Sequence, residues 1–505
     1  MLTEPRGVPL GALALAAQDR FGDRSTLAFE GTEHRLGDLT AWGGRVAGGL
    51  VELGVGPGDR VAVCMANGPE VLVTYQAAWR LGAVVTPLLF LLSVPELTHA
   101  LADSGATAVV TTPEVLPNVA AAAGGLDVRI VCTGAAVDGA VAFDALGAGP
   151  EAELAECDPR GPAALLYTGG TTGRAKGVVL SHDALSTAAW SAVLNGIDDA
   201  MDVSLLPLPL AHVFGLMVST MSQHQVRPSR SVLMRWFEPA AWLDLVATHG
   251  IETGTVVPTM LRVLLDQPLE DAELGSLRRL VSGSAPLPAE VRAAWRQRVP
   301  HVEIDEGYGC SETCASGTVN RYRAGRPGSV GTAVPGMEVR VVDPVTGDDV
   351  AAGADGEVCL RTGALMTGYW RDPEATAAAL RDGWFHTGDI GHLDADGYLY
   401  LLDRLKDVII RSGFNVYPRD VEEVLMAHPD VAFCGVVGRP DPVHGEEVVA
   451  FVLPVPGATP DPAELIAWSR ERLSAVKYPR DVRVVDSVPL TSVGKLDRKA
   501  LRTWL

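Results

Sequence analysis

The sequence is short of positive charge, of paired cysteines and of long uninterrupted apolar runs. Lys and Arg number 41 against 62 Asp and Glu, a formal net charge of −21. A chain this acidic repels a phosphate backbone, which excludes nucleic acid as a partner. A small anion held by local donors and a metal ion is still allowed. The seven cysteines are odd in number. Cys310 and Cys314 stand closest together with no second pair near them. Neither a disulfide framework nor a zinc site is indicated, and reduced thiols are expected. Leu10–Ala17 is apolar but stops at Gln18-Asp19-Arg20, and Gly82–Leu97 is interrupted by Pro87 and Pro95. Neither reaches the roughly 18–20 apolar residues of a membrane span, and no basic stretch precedes a long apolar run at the N-terminus. A soluble, cytoplasmic protein is expected.

What is present is ample core material. The 505 residues are 47% hydrophobic and 20% charged, enough for two or three domains. Helical and strand-like segments alternate through the first 160 residues. Leu36–Leu53 has helical spacing and ends at Gly54, Arg60–Met65 is β-rich, Glu70–Leu81 is helical and Ala83–Leu89 reads as a buried strand. Further strands are predicted at Ala164–Tyr167, Val203–Leu206 and Glu252–Val257. Such alternation predicts an α/β fold of stacked, mostly parallel sheets. From Gly328 to Arg404, short alternating strands separated by turns such as Asp396-Gly397 predict an antiparallel, barrel-like section. After Asp403 the texture changes again. Strands at Val408–Arg411, Ala432–Val437 and Glu447–Val455 and helices at Pro418–Ala427 and Pro462–Leu473 predict a small α+β unit. The expected division is a large N-terminal domain over 1–403 and a small C-terminal domain over 404–505.

The most chemically loaded segment follows the strand end Leu165-Leu166-Tyr167. It reads Thr168-Gly169-Gly170-Thr171-Thr172-Gly173-Arg174-Ala175-Lys176-Gly177. Glycines expose backbone N–H groups in tight turns, threonine hydroxyls add donors and a lysine supplies mobile positive charge, a combination suited to polyphosphate. The P-loop pattern Gly-Lys-Ser/Thr is absent, because Lys176 lies between Ala175 and Gly177, which disfavours kinases and motor ATPases.

This loop resembles that of the adenylate-forming superfamily, which includes acyl-CoA synthetases, the adenylation domains of peptide synthetases and luciferases. Gly169 and Ala175 replace a serine and a proline usual there, as often in fatty acyl-CoA synthetases. Six further motifs follow in the family's order: Pro209–Gly215, Ser282–Leu287, Gly307–Thr313, Trp384–Asp389, Asp403–Asp407 and Gly494–Arg498. The resemblance runs from Gly58-Asp59-Arg60-Val61 to the C-terminus.

The resemblance implies ATP, Mg²⁺ and coenzyme A as cofactors. It implies a reaction in which a carboxylate attacks the α-phosphate of ATP and a thiol then takes the acyl group. Lys176 would hold the β- and γ-phosphates together with Thr168–Gly173, and Glu312 would be the Mg²⁺ carboxylate, its oxygens suiting a hard cation. Ser311, where the family has threonine, would meet the α-phosphate. Tyr308, flanked by Gly307 and Gly309, would stack on adenine with Ser284, Ala285 and Pro286 on the other face. Asp389 would accept from the ribose hydroxyls, and Arg404 would contact the ribose. Lys495 would bridge the acyl carboxylate and the α-phosphate. His212 would border the acid near its carboxylate. Lys406 would be the hinge on which a mobile C-terminal domain turns between steps. Arg411, Ser412, Gly413 and Phe414 would meet coenzyme A, with Arg439 near a CoA phosphate.

The acid would lie among His212, Val213, Phe214, Val257, Pro258 and Gly309. The segments Val213–Leu216 and Val256–Leu261 and the residues near Gly309 are mostly apolar and carry no basic residue, which favours a fatty, aryl or terpenoid-like acid over a dicarboxylate. The polar run Ser222-Gln223-His224-Gln225 is expected to be an exposed helix face, the alternative being recognition of a polar group on the acid. The leading reading is an acyl-CoA synthetase. Its alternatives are an acyl-AMP ligase that loads a carrier protein or catalyses one half-reaction, and a degenerate binding protein. Retention of Lys495, Glu312, Asp389 and Arg404 together argues against the last.

Overall fold

A computed structural model describes residues 6–134, 137–168, 175–196, 199–224, 228–490 and 496–505. Gly169, Gly170, Thr171, Thr172, Gly173, Gln225 and Lys495 therefore lie outside the described residues.

The chain divides into two units. The first comprises Met1–Leu287, Val291–Glu338 and Leu360–Phe385, and the second Pro288–Glu290, Val339–Cys359 and His386–Leu505. The first unit holds two large sheets. In one, the strand Arg60–Cys64 lies between Val84–Pro87 and Ala108–Thr111, all parallel. Its residues alternate between two apolar clusters, Val61 and Val63 in one and Ala62 and Cys64 in the other. A strand covered on both faces has no use for polar residues, which is why Val61-Ala62-Val63-Cys64 is an unbroken apolar run. Each fully buried valine of this kind contributes roughly 1.5–3 kcal/mol relative to exposure. This sheet ends in an antiparallel edge, where Pro162–Thr168 pairs with Lys176–Ser181 and that strand pairs with Gly368–Tyr369.

The other sheet has nine strands. Val203–Leu206, Thr253–Val256, Arg279–Ser282 and Glu303–Gly309 run parallel and adjacent in that order. Trp242, Trp295 and Leu280 lie in the core beneath them. Past Glu306 the last strand pairs antiparallel with Gly317–Val319.

In the second unit, Asp389–Leu393 pairs antiparallel with Leu399–Arg404. Further along, Val431–Asp441 and Gly445–Pro454 form a long hairpin, and Ile409–Arg411 and Asp481–Val484 join its second strand. The helices Pro418–Met426 and Pro462–Arg472 supply Val421, Leu425 and Leu465 to its core. Both open on proline at the first turn, where a missing N–H costs nothing. Among the described residues no helix is long and apolar enough to cross a membrane.

Candidate active site

The predicted phosphate loop joins the two strands of a hairpin. Tyr167 pairs with Gly177 and Thr168 with Lys176, so Lys176 opens the returning strand. Tyr167, just before the loop, is an anchor. Its hydroxyl donates to Asp103 at 2.6 Å, and burial followed by that carboxylate pushes its phenol well above the ordinary range. His99, one turn away on the same helix, sits 3.2 Å from the Ala175 carbonyl.

Register then gathers the phosphate-side groups. Gly368 and Tyr369 pair with Val179 and Val178, and the Trp370 N–H donates to the Gly177 carbonyl. The Tyr369 ring lies under the Lys176 ammonium, 5.1 Å from its centroid, and its hydroxyl donates to Glu312 Oε1 at 2.8 Å. Glu312 follows the Glu303–Gly309 strand in a short turn, fixed by the Met366 N–H on its carbonyl. Ser311 opens the same turn. Lys176 and Glu312, far apart in sequence, are thus joined through one tyrosine. Lys176 also lies 3.8 Å from Asp372 Oδ2, while Asp372 Oδ1 caps the helix Pro373–Ala379 through the Ala375 N–H.

Asp372 is therefore a resident counter-ion for Lys176. Asp372→Asn keeps the cap, since asparagine caps as well as aspartate, and removes the competing charge. An exposed pair of this kind is worth roughly 0–1 kcal/mol. The KM for ATP is expected to fall about two- to fivefold, read from initial rates at low ionic strength. An unchanged or raised KM would remove the counter-ion role.

The adenine and acid candidates lie at or past the C-terminal ends of the four adjacent parallel strands, where α/β sheets bind ligands. After Ser282 the chain turns through Gly283 to Ser284, whose φ is +69°. Ser284, Ala285 and Pro286 are exposed, and the turn is tied down by the Leu287 N–H on Glu306 Oε2. Glu306 is buried and also bonds Arg292. Gly307 and half-buried Tyr308 continue that strand. At Gly309 an added Cβ would stand 2.5 Å from the Ala315 carbonyl oxygen and 2.6 Å from its carbon. Only glycine fits there.

His212 precedes the helix Val213–His224, with its carbonyl accepting from the Leu216 N–H. The Phe214 N–H points at Nδ1 at 3.5 Å. The approach to His212 is held by Asn67, which accepts from the Leu210 N–H and donates to the carbonyls of Leu208 and Met234. Val257 and Pro258 start the helix that follows the next strand, Val257 half-buried and Pro258 buried.

The polar run at the end of the His212 helix corrects an expectation. Gln223 and His224 are buried, not exposed. His224 Nε2 lies 3.0 Å from Ser186, and both polar atoms of the Gln223 side chain lack a partner among the described residues. At about 100° per residue Gln223 shares the face of fully buried Leu216 and stands opposite Phe214.

The second unit carries the ribose candidates. Asp389 and Arg404 are register partners across two antiparallel strands, with Arg404 Nε 2.8 Å from Asp389 Oδ1. Lys406 lies in the short turn Leu405–Asp407. Desolvation, followed by the nearby guanidinium groups of Arg404, Arg502 and Arg498, lowers its amine from the ordinary value against the pull of Asp407. Arg411 is buried and bonded by Glu447 at 2.7 and 3.1 Å. Ser412, Gly413 and Phe414 are exposed, with Ser412 and Gly413 both in the left-handed region. Arg439 pairs with Asp481 at 2.7 Å. Around Lys495 the described flanks are closed. Leu490 bridges Leu496, Asp497 donates to the Pro489 carbonyl, and Arg498 grips buried Glu422 with two bonds of 2.7 Å.

Sequence reading missed Tyr369, Asp372, Glu306 and Asn67. A signal existed for Asp372 alone, since Asp372-Pro373-Glu374 is a helix start.

Comparison with known proteins shows the family. Residues 15–370 match the family model "AMP-binding enzyme" and residues 420–495 the model "AMP-binding enzyme C-terminal domain". A feruloyl-CoA synthase of Amycolatopsis sp is 38% identical over 488 residues, 94% of each chain. A fatty acid–[acyl-carrier-protein] ligase of Streptomyces coeruleorubidus is 36% identical, covering 91% of this chain and 89% of its own. The structure of the amide bond synthetase McbA from Marinactinospora thermotolerans superposes with a TM-score of 0.87 at 33% identity, over 98% of this chain and 100% of that one. With a Lys–Tyr–Glu cluster beside a glycine-rich hairpin and family models spanning most of its length, the chain belongs to the AMP-binding enzymes of the adenylate-forming superfamily.

Proposed function

We propose that this AMP-forming acid–thiol ligase activates an apolar, aryl-bearing carboxylic acid as its acyl adenylate and transfers the acyl group to coenzyme A. The observation that carries the reading is the cluster of Lys176, Tyr369 and Glu312. It places one cation and one carboxylate beside the hairpin that would receive a triphosphate.

The chemistry sets the remaining demands. Carboxylate and α-phosphate are both anions, so the site must cancel charge and hold the two in line. Lys176 draws charge onto the departing β- and γ-phosphates, and Lys495 bridges the reacting pair. Asp389 and Arg404 fix the ribose, and Tyr308 with Ser284–Pro286 hold the adenine. Glu312 suits Mg²⁺, because one oxygen is fixed by the Tyr369 hydroxyl and a carboxylate is a hard donor. Bound there, the ion would neutralise phosphate charge. His212, Phe214, Val257 and Pro258 line the acid, with Gly309 giving flat backbone. The apolar lining and the similarity to a feruloyl-CoA synthase support an aryl acid. The seven cysteines are all free, which supports a cytoplasmic setting.

A second reading is transfer to a carrier protein, favoured by the 36% identity to a ligase named for that acceptor. Purified protein with ATP, Mg²⁺ and a panel of aryl and fatty acids, with CoA or acyl-carrier protein, tests both. Acyl-CoA from an aryl acid is expected. Adenylate without acyl-CoA, but with loaded carrier protein, would establish the second reading, and no turnover with any acid would overturn both.

The 404–505 region as a small domain turning at Lys406 between half-reactions belongs to the same proposal. Lys406→Pro fixes φ near −65° and removes an N–H. Thioester formation is expected to fall about tenfold or more while adenylation stays within about twofold, because only the second step needs the turn. Pyrophosphate exchange and acyl-CoA assays on one preparation separate the steps, and equal loss in both would end the hinge assignment.

A further inference from the structure

The second unit contains a buried cluster in which the Trp384–Asp389 motif meets Glu357, a residue outside every motif. The Glu357 carboxylate and the His386 side chain are both more than nine-tenths buried, with His386 Nδ1 2.8 Å from Glu357 Oε2. A carboxylate oxygen only accepts, so Nδ1 carries the proton. The other oxygen, Oε1, accepts from the Gly388 N–H at 3.2 Å. Thr387 completes the arrangement. Its hydroxyl donates to the Val358 carbonyl at 2.7 Å and accepts from the Asp389 N–H at 3.0 Å. Gly388 has φ +68°, a left-handed conformation that glycine adopts without strain. Each residue from His386 to Asp389 is thus tied by a hydrogen bond, and the strand through Glu357 and Val358 provides every anchor but one. At the end of this sequence stands Asp389, facing Arg404.

We infer that Glu357, through His386 and the Gly388 N–H, is a positioning residue that presets the Asp389 carboxylate for the two ribose hydroxyls of ATP. The inference rests on Asp389 being the ribose acceptor. Two acceptor oxygens must meet two hydroxyls of fixed separation, and a carboxylate on a kinked strand end would wander unless its backbone were held. A buried second layer of hydrogen bonds does this with little entropy left to lose on binding. Cys359 Sγ lies 3.4 Å from His386 Nδ1, and the cluster Glu357, Cys359 and His386 also has the composition of a metal site. Against that use, Nδ1 donates its proton to Glu357 and both carboxylate oxygens are occupied by donors.

The test compares ATP with 2′,3′-dideoxyadenosine triphosphate, which has no ribose hydroxyls to position. Glu357→Gln keeps an acceptor for His386 but loses the charge and the bond from Gly388. Its kcat/KM for ATP is expected to fall about tenfold, while that for the dideoxy nucleotide stays within about twofold. Thr387→Val, close to isosteric, repeats the comparison if Glu357→Gln lowers the melting temperature or the yield. Asp389→Asn separates the two layers of the argument. If it costs ATP and the dideoxy nucleotide equally, the ribose assignment itself fails. If it selects between them and neither outer variant does, only the positioning role of Glu357 fails. A stoichiometric zinc ion in wild-type protein, lost in Glu357→Gln on elemental analysis, would also overturn the inference and make the cluster a metal centre.

Discussion

Lys495→Ala is expected to abolish ATP–pyrophosphate exchange, by about a thousandfold, while acyl transfer from supplied acyl adenylate to CoA keeps most of its rate. The size follows from electrostatics. Two unit charges 4 Å apart at an effective dielectric of 20 interact by about 4 kcal/mol, which corresponds to roughly a thousandfold in rate. The direction follows from the chemistry. A carboxylate approaching an α-phosphate needs a cation between them only while the new bond forms, and thiol attack on a finished adenylate has no such requirement. In the proposed reaction the motif Gly494-Lys495-Leu496-Asp497-Arg498 would supply that cation, and the described ends of its segment are closed by the Leu490–Leu496 bridge. Measuring both half-reactions in one preparation decides the matter. Wild-type exchange in the variant would remove Lys495 from the site.

Glu312→Gln is expected to lower kcat/KM for ATP by about a hundredfold, with a marked rise in the Mg²⁺ concentration giving half-maximal rate. The substitution is nearly isosteric, and the amide oxygen can still accept from Tyr369. What disappears is one negative charge among oxygens suited to a hard cation, and losing a single preorganised electrostatic contact, as when one oxyanion-hole donor is removed, costs about 2.7–4 kcal/mol. Titrating Mg²⁺ at fixed ATP, with binding of the metal–nucleotide followed by calorimetry, distinguishes this from misfolding. Tyr369→Phe is the internal control, because it frees Glu312 without removing charge and should give a smaller change of the same kind. A Glu312→Gln variant with an unaltered Mg²⁺ dependence would rule out the metal role.

Much of the fold was readable because its elements obey local rules. Strands buried on both faces are continuous in valine and alanine, as at Arg60–Cys64, and helices such as Leu36–Glu52 repeat their apolar residues every three or four positions. Reading failed where pairing overrode composition. Gly438 and Pro440 suggest that a strand stops at Val437, yet the strand runs on to Asp441, because Pro440 pairs with Glu446 beside the turn of a hairpin, where the ladder is about to end anyway. Gln223 and His224 were misplaced for a different reason. Polar residues at a helix end normally face water, and only the packing of neighbouring helices buries these two.

The site was legible to the extent that each residue carries its own motif. Glu312, Asp389 and Arg404 stand in short recognisable strings, and their chemistry follows from type. Their supports were not legible. Tyr369 reaches Glu312 across 57 positions, and Glu357 meets Gly388 across 31. Such partners are chosen by sheet register, which no local pattern states.

Gly309 bears on how the acid specificity of this scaffold can change. Its missing side chain faces main-chain atoms of Ala315, and a main chain inside a turn cannot step aside as a side-chain tip can. Reshaping the proposed acid pocket by adding a side chain at this position is closed to natural drift and to directed evolution alike. Libraries that vary Phe214 and Val257 while leaving residue 309 alone should yield folded enzymes with shifted acid ranges. Libraries that include residue 309 should return glycine there among all active clones.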